Sequence, residues 1–205
     1  MTAVSEADPG FWDRAVAHRR ASQPPLVAAI IADAKIAARV HGERAQFRGR
    51  ADALVQVMRL ALECDGFIGL CLYRVQASLD ARGMRFASNV ARRLAVITAN
   101  VTIGRFVLMQ PGVMLAHGDV VIDGLVDIDA GTVIMPRVTI GLSDEPRFGL
   151  RGPTIGKDVK VGTGAKVLGP VTVHDGAQIG ANAVVLEDVP AHTTAVGIPA
   201  RVLRQ

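Results

Sequence analysis

Cysteine is scarce in this chain, and its scarcity excludes two kinds of site. Only Cys64 and Cys71 occur among the 205 residues. They lie in a segment with helical spacing, which puts them roughly 10 Å apart at a rise of about 1.5 Å per residue. That separation is too long for a disulfide, and two cysteines are too few for a structural zinc site. We expect both to be core thiols and expect no bound metal.

Long apolar runs are also absent. Half of the residues are apolar, yet no uninterrupted run approaches the roughly 20 residues that span a bilayer. The first residues, MTAVSEADPGFWDR, are acidic and polar, so they lack the basic and then apolar pattern of a signal peptide. We therefore expect no membrane span and a cytoplasmic protein.

A concentrated nucleic-acid-binding surface is lacking as well, although the net charge is +4. The surplus of positive charge lies in the first hundred residues and is densest in ARVHGERAQFRGR (38–50). That segment has one aromatic residue, Phe47, and no nucleic-acid-binding motif. We interpret it as a solvated helical surface and expect no nucleic-acid partner.

The pattern of apolar residues changes near residue 100. Before that point they follow helical spacing, and PPLVAAIIADAKIAARV has prolines where a helix can begin. The glycine of ARGMR (81–85) stands where another helix would end. We predict four or five helices over residues 10–99, forming an N-terminal all-α domain (1–99).

After residue 100 the apolar residues repeat every six positions. One series is Ile155, Val161, Val167, Val173, Ile179 and Val185. A helix does not repeat at six, whereas a short strand plus a tight turn does, and three such units close one triangular coil. Stacked coils would bury the aliphatic side chains in a continuous interior. The fold class is therefore α+β, with a parallel β-helix of hexapeptide repeats over residues 100–205.

Two interruptions of this repeat mark a candidate active site. Leu115 and Ile122 are seven residues apart instead of six, so one extra residue lies within AHGD, next to His117. The segment GLSDEPRFGLRGP (141–153) is too long for a turn and predicts an extruded loop. Because a solenoid tolerates insertions only at its corners, we expect His117 to project from a corner of the coil.

Several segments make the chain resemble the serine acetyltransferases among the hexapeptide-repeat acyltransferases. They are GFIGLCLYRVQASLDARGMR before the coils, and GTGAKVLGPVTV and IGANAVVLEDVPAHTTAVGIPARVL in the last coils. The resemblance covers residues from about 50 to 204. It implies left-handed coils, acetyl-CoA as the acyl donor, and a homotrimer or a dimer of trimers whose active site lies between two subunits.

The resemblance places His117 at the family's catalytic histidine, as the general base that activates the acceptor hydroxyl. Thr102 replaces the acidic residue that orients this histidine in the family, and Ala116 replaces a neighbouring aspartate. Gly152 replaces a second histidine, whereas Arg151 is kept. We expect Thr102 and Arg151 to contact the acceptor, Arg151 by pairing with a carboxylate. The alternative for Arg151 is that it only solvates the loop.

The resemblance also implies a site for coenzyme A. The matching positions are Thr163, Gly164, Ala181 and Arg201. Small residues would allow the pantetheine arm to approach the backbone, and Arg201 would meet a phosphate. The alternative is that these residues are ordinary parts of the coil.

Three functions are compatible with the sequence. The first is O-acetylation of L-serine or a close amino acid by acetyl-CoA. The second is the same reaction on a sugar or polysaccharide hydroxyl, which the lost acidic residues favour. The third is a catalytically weak trimeric scaffold or binding protein, against which His117 argues.

Overall fold

The structure is a computed structural model that describes residues 10–43, 45–143 and 151–203. Five helices occupy the N-terminal half of these residues. They are α1 (Phe11–Ala21), α2 (Leu26–Val40), α3 (Arg50–Glu63), α4 (Asp65–Ala81) and α5 (Arg85–Ala99). The change from helix to strand coincides with the proposed domain boundary at residues 99 and 100.

The ends of the helices follow from single residues in the sequence. Pro25 immediately precedes α2, where its missing N–H costs nothing. Gly83 has a φ of 75° just after the end of α4. Asn100 adopts the left-handed conformation after α5 and accommodates the turn into the first strand. The helices expected over residues 10–99 are therefore confirmed.

Fifteen short strands follow in the described residues. They are β1 (Val101–Ile103), β2 (Leu108–Met109), β3 (Met114–Leu115), β4 (Val120–Ile122), β5 (Leu125–Ile128), β6 (Val133–Ile134), β7 (Thr139–Gly141), β8 (Arg151–Ile155), β9 (Lys160–Val161), β10 (Lys166–Leu168), β11 (Thr172–Val173), β12 (Gln178–Ile179), β13 (Val184–Val185), β14 (Thr194–Gly197) and β15 (Ala200–Val202). Except for the antiparallel pair β14–β15, neighbouring strands run parallel.

The strands form three sheets, which are the walls of a triangular prism. Sheet A has the order β1-β4-β7-β10-β13, sheet B the order β11-β8-β5-β2, and sheet C the order β15-β14-β12-β9-β6-β3. Each turn of the chain adds one strand to each sheet, as a six-residue repeat requires. The parallel β-helix is confirmed.

The interior of the coils contains the aliphatic side chains that define the repeat. The series at 155, 161, 167, 173, 179 and 185 is at most 3 % exposed throughout. One helical tyrosine, Tyr73, extends this core from α4, and its hydroxyl donates a hydrogen bond to the Val107 carbonyl oxygen at 2.9 Å. Burial raises the pKa of Tyr73 to about 12. The helices and the first coil thus share one core.

A buried ion pair fixes the helices to the first coil. Asp33 of α2 and Arg74 of α4 have side chains 1 % and 2 % exposed, with Nε and Oδ2 2.8 Å apart. The carboxylate also accepts hydrogen bonds from the backbone N–H groups of Gly112 and Val113. Arg74 donates to the carbonyl oxygen of Gln110 as well. This network sets the position of α4 relative to the coil.

Two further expectations from the sequence concern the extruded loop and the membrane. The predicted loop at 141–153 was too long at both ends, because Gly141 ends β7 and residues 151–153 begin β8; its central residues 144–150 are outside the described residues. Within the described parts of the chain, no helix has the length and hydropathy needed to cross a membrane. The cytoplasmic location stays a prediction.

Candidate active site

His117 lies at the corner where sheet C leads into sheet A. The turn between β3 and β4 contains it, and its side chain is 67 % exposed. The imidazole faces a groove of about 600 Å³. Apart from His117, the groove is lined by Asp65, Val96, Ile97, Thr98, Ala99, Asn100, Gly118, Asp119, Pro136, Arg137 and Thr163. The extra residue in the repeat therefore coincides with a corner that opens into a groove.

The carboxylate nearest to His117 belongs to Asp65, the first residue of α4. Its Oδ1 lies 3.3 Å from His117 Nδ1. Burial disfavours the charged carboxylate, but the backbone N–H groups of Gly118 and Gly66 and the His117 ring outweigh it, so the pKa of Asp65 is lowered. Asp65 is thus an anion beside the imidazole at neutral pH.

Thr102 and Arg151 lie toward a different corner of the prism. Thr102 is on β1 and lines a groove with Gly104, Arg105 and Asp123, at the corner between sheets A and B. Arg151 is the first residue of β8 and pairs with Leu125 of β5, just after that corner. The fold of one chain therefore places both predicted acceptor contacts away from the groove at His117.

The corner of His117 is the first in a column of stacked corners. The Arg137 N–H donates to the Asp119 carbonyl oxygen, and the Gly164 N–H donates to that of Pro136. One coil further, the Asn182 N–H donates to the Thr163 carbonyl oxygen. Each corner has one residue with a φ between 56° and 76°, namely Asp119, Arg137, Gly164 and Asn182. The column brings His117 into line with three predicted coenzyme A residues: Thr163, Gly164 and Ala181.

Arg201 lies at the far end of this column. It is on β15, opposite Val196 of β14, which stacks on the strand that precedes the Ala181 corner. Five strand spacings along sheet C separate β15 from β3, the strand before His117, or about 24 Å at the usual strand spacing of about 4.8 Å. Its guanidinium is 63 % exposed, with Nη1 3.6 Å from Glu187 Oε1. The predicted coenzyme A residues thus share one edge of the prism.

Cysteine chemistry does not compete with His117 in this region. Cys64 and Cys71 are both free and half-buried. Burial raises the pKa of Cys64 and raises that of Cys71 to about 12, so neither is a thiolate at neutral pH. Among the described residues, no group of three or more histidine, cysteine or acidic side chains is arranged to hold a metal ion.

Sequence reasoning missed three charged residues of the groove, Asp65, Asp119 and Arg137. Asp65 opens a helix with apolar spacing, so its sequence signal is that of an ordinary first-turn acid. Arg137 has a φ of 63° at a corner, where asparagine or glycine is usual. An arginine at a corner position of the repeat was therefore a signal in the sequence. Its Nε lies 3.6 Å from Asp119 Oδ2.

Comparison with known sequences identifies similar proteins. Residues 152–187 match the family described as bacterial transferase hexapeptide (six repeats). Serine acetyltransferase of Helicobacter pylori (strain J99) is 37 % identical over 67 % of this chain and 81 % of its own length. That of Bacillus pumilus is 34 % identical over 72 % of this chain and 68 % of its own length. The Escherichia coli K12 relative is 35 % identical, and the match spans only 57 % of it.

Solved structures share the architecture. A serine acetyltransferase in complex with CoA superposes with a TM-score of 0.72 at 26 % identity, over 93 % of this chain and 74 % of that one. The Vibrio cholerae serine acetyltransferase gives a TM-score of 0.72 at 30 % identity, over 97 % and 73 %. The soybean enzyme complexed with serine gives 0.71 at 26 % identity, over 94 % and 84 %. The expected fold class, five helices followed by a left-handed β-helix, is confirmed.

Proposed function

Because this chain belongs to the serine acetyltransferase family, we propose that it transfers the acetyl group of acetyl-CoA to the hydroxyl of L-serine or a close amino acid. One observation carries this proposal: His117 projects from the first corner of a column that also contains the predicted coenzyme A residues. Acyl transfer to a hydroxyl needs a base and a nearby binding surface for the long acyl carrier, and this edge of the prism offers both.

His117 serves as general base in this reaction. Its neutral ring accepts the proton of the acceptor hydroxyl while the oxygen attacks the thioester carbonyl carbon. The carbon–sulfur bond then breaks, and the thiolate leaves with the proton that the imidazolium returns. The products are an O-acetyl ester and free coenzyme A. A positioned base of this kind contributes roughly 10²- to 10⁴-fold in rate.

The donor lies along the column of corners in this proposal. Thr163, Gly164 and Ala181 present backbone and small side chains, so the pantetheine arm can approach closely. Gly162, which precedes Thr163, packs tightly against the next coil, because an added Cβ would lie 2.7 Å from the Ile179 carbonyl oxygen. Arg201 at the far end pairs with a phosphate of the nucleotide part.

The charges in the groove favour an amino acid as the acceptor. Asp119 and Arg137 put both signs of charge in the groove at His117, which suits the ammonium and the carboxylate of an amino acid. A sugar hydroxyl is the second candidate. It is favoured by Thr102 and Ala116, which offer no carboxylate where the resemblance places acidic residues.

We propose that the active form is a homotrimer or a dimer of trimers. Thr102 and Arg151 lie at one corner of the prism and His117 at another, so a second copy is needed to bring them together. Exposed apolar stripes also need covering. They are Leu54, Val55, Met58 and Leu62 on α3, and Phe86, Val90, Leu94 and Ile97 on α5.

An acceptor screen tests the proposed function. The purified protein is incubated with acetyl-CoA and each of a panel of amino acids and sugars, and free thiol release is followed. We expect turnover with L-serine or a close analogue above the rate of acetyl-CoA hydrolysis without acceptor. Turnover confined to sugars selects the second candidate. Thiol release that no acceptor increases contradicts acetyl transfer to a hydroxyl.

A further inference from the structure

The N-terminus of α4 is built to hold Asp65 against the corner of His117. Asp65 Oδ1 accepts the Gly66 N–H at 2.8 Å, and the Gly118 N–H also donates to this carboxylate. The side chain is therefore fixed from both sides, by its own helix and by the residue after His117. The third polar contact of this carboxylate is with Nδ1 of the His117 imidazole, 3.3 Å from Oδ1.

Two glycines make this close approach possible. A Cβ added at Gly66 would lie 2.4 Å from the Leu115 carbonyl oxygen and 2.8 Å from that of His117. A Cβ added at Gly118 would lie 1.9 Å from the Ala99 carbonyl oxygen. Real Cβ atoms do not come so near to backbone oxygens, so any other residue at either position would force the two elements apart. The contact between α4 and this corner thus depends on Gly66, and the packing of the corner against the end of α5 depends on Gly118.

The charges around the imidazole assign Asp65 a specific task. Asp65 lies at the positive N-terminal end of the α4 dipole and is the anion nearest to Nδ1 of the ring. The other charged groups that line the groove are Asp119 and Arg137, which pair with each other, and Asp119 also accepts a hydrogen bond from Asn100.

We propose that Asp65 is the residue that positions His117, taking over the task of the acid that Thr102 replaces. The carboxylate accepts a hydrogen bond from Nδ1–H, which selects the tautomer with its lone pair on Nε2 and stabilises the imidazolium formed during transfer. The expected effect on kcat rests on the proposed function. The tautomer of His117 can be measured whether or not the protein is active.

The test compares the full-length parent with Asp65→Asn. Asparagine has nearly the same size and keeps one oxygen to accept a backbone N–H, while the negative charge is lost. Removing the carboxylate of a buried catalytic triad costs about 10⁴-fold in kcat. Because Asp65 is about half exposed, we expect a smaller loss of roughly 10- to 100-fold, with KM for acetyl-CoA within about twofold of the parent.

A spectroscopic measurement separates this proposal from the proposed function. Long-range ¹H–¹⁵N spectra of histidine-labelled protein report which ring nitrogen is protonated, and His117→Gln assigns the signals. We expect the Nδ1–H form in the parent and a mixture of tautomers in Asp65→Asn. If the parent shows Nδ1–H but has no transferase activity, the proposed function fails and the positioning by Asp65 stands.

A matched control is Asp52→Asn, which neutralises another first-turn acid at the start of α3, remote from His117. It should leave kcat and the His117 signals unchanged. Three results would overturn the proposal: an unchanged kcat in Asp65→Asn, an unchanged tautomer in that variant, or a raised acceptor KM at constant kcat. The last would make Asp65 an acceptor-binding residue instead.

Discussion

Removing the guanidinium of Arg74 should destabilise the protein more than almost any other single truncation. Arg74 donates to both carboxylate oxygens of Asp33, at 2.8 and 3.1 Å, and to the Gln110 carbonyl oxygen at 2.7 Å. Arg74→Ala leaves a carboxylate that is 1 % exposed without its counter-ion. Breaking a buried ion pair on one side costs about 3–5 kcal/mol.

The assay for Arg74→Ala is urea unfolding at neutral pH and fixed protein concentration, followed by circular dichroism. We expect the free energy of unfolding to fall by about 3–5 kcal/mol. Arg74→Met combined with Asp33→Leu should recover part of that loss, because no buried charge is then left unpaired while the Gly112 and Val113 N–H groups lose their acceptor. Arg59→Ala is the control, since its ion pair with Glu43 is exposed and should contribute little. A loss below about 1 kcal/mol in Arg74→Ala would refute the view that this pair fixes α4 to the coil.

Three further predictions concern the groove and its surroundings. Gly118→Ala should lower stability by about 1–3 kcal/mol and reduce kcat, since its Cβ cannot fit beside Ala99; Gly49→Ala, which meets nothing within 4 Å, is the matched control, and equal melting temperatures would be contrary evidence. Arg201→Ala should raise KM for acetyl-CoA roughly fivefold, the effect of about 1 kcal/mol, and Ala181→Trp should raise it further, with kcat nearly constant; unchanged acetyl-CoA kinetics in both would place the donor elsewhere. The pKa of Asp65 is lowered below 3.8 on folding, so its carboxylate stabilises the protein above that pH and ceases to do so as the pH falls through the lowered value. The stability difference between the parent and Asp65→Asn should therefore shrink as the pH falls below 3.8, and a difference that grew in that range would have the wrong sign.

The repeat made the β-helix predictable because each six-residue unit orients its own side chains, without help from residues distant in the sequence. An aliphatic residue at every sixth position, such as Val161 or Val167, can be buried only if the chain turns at the same interval. The same regularity made the extra residue beside His117 visible. The helices were predictable from spacing and from residues such as Pro25 and Gly83.

The surroundings of His117 were harder to predict because they depend on long-range packing. Asp65 comes from a helix distant in the sequence, and only the docking of α4 on the first coil brings it to the imidazole. Thr102 was assigned to the site by family register alone, and the structure shows it facing another groove. Spacing along the chain cannot tell which corner of a prism faces which helix.

The most direct test of the central claim is the turnover of His117→Ala, measured with the acceptor that the screen identifies. Because the side chain projects from a corner and is 67 % exposed, its loss should leave the melting temperature, the assembly and KM for acetyl-CoA close to those of the parent. We predict that kcat falls by about 10²-fold or more. A kcat within a few-fold of the parent would contradict the assignment of His117 as the base.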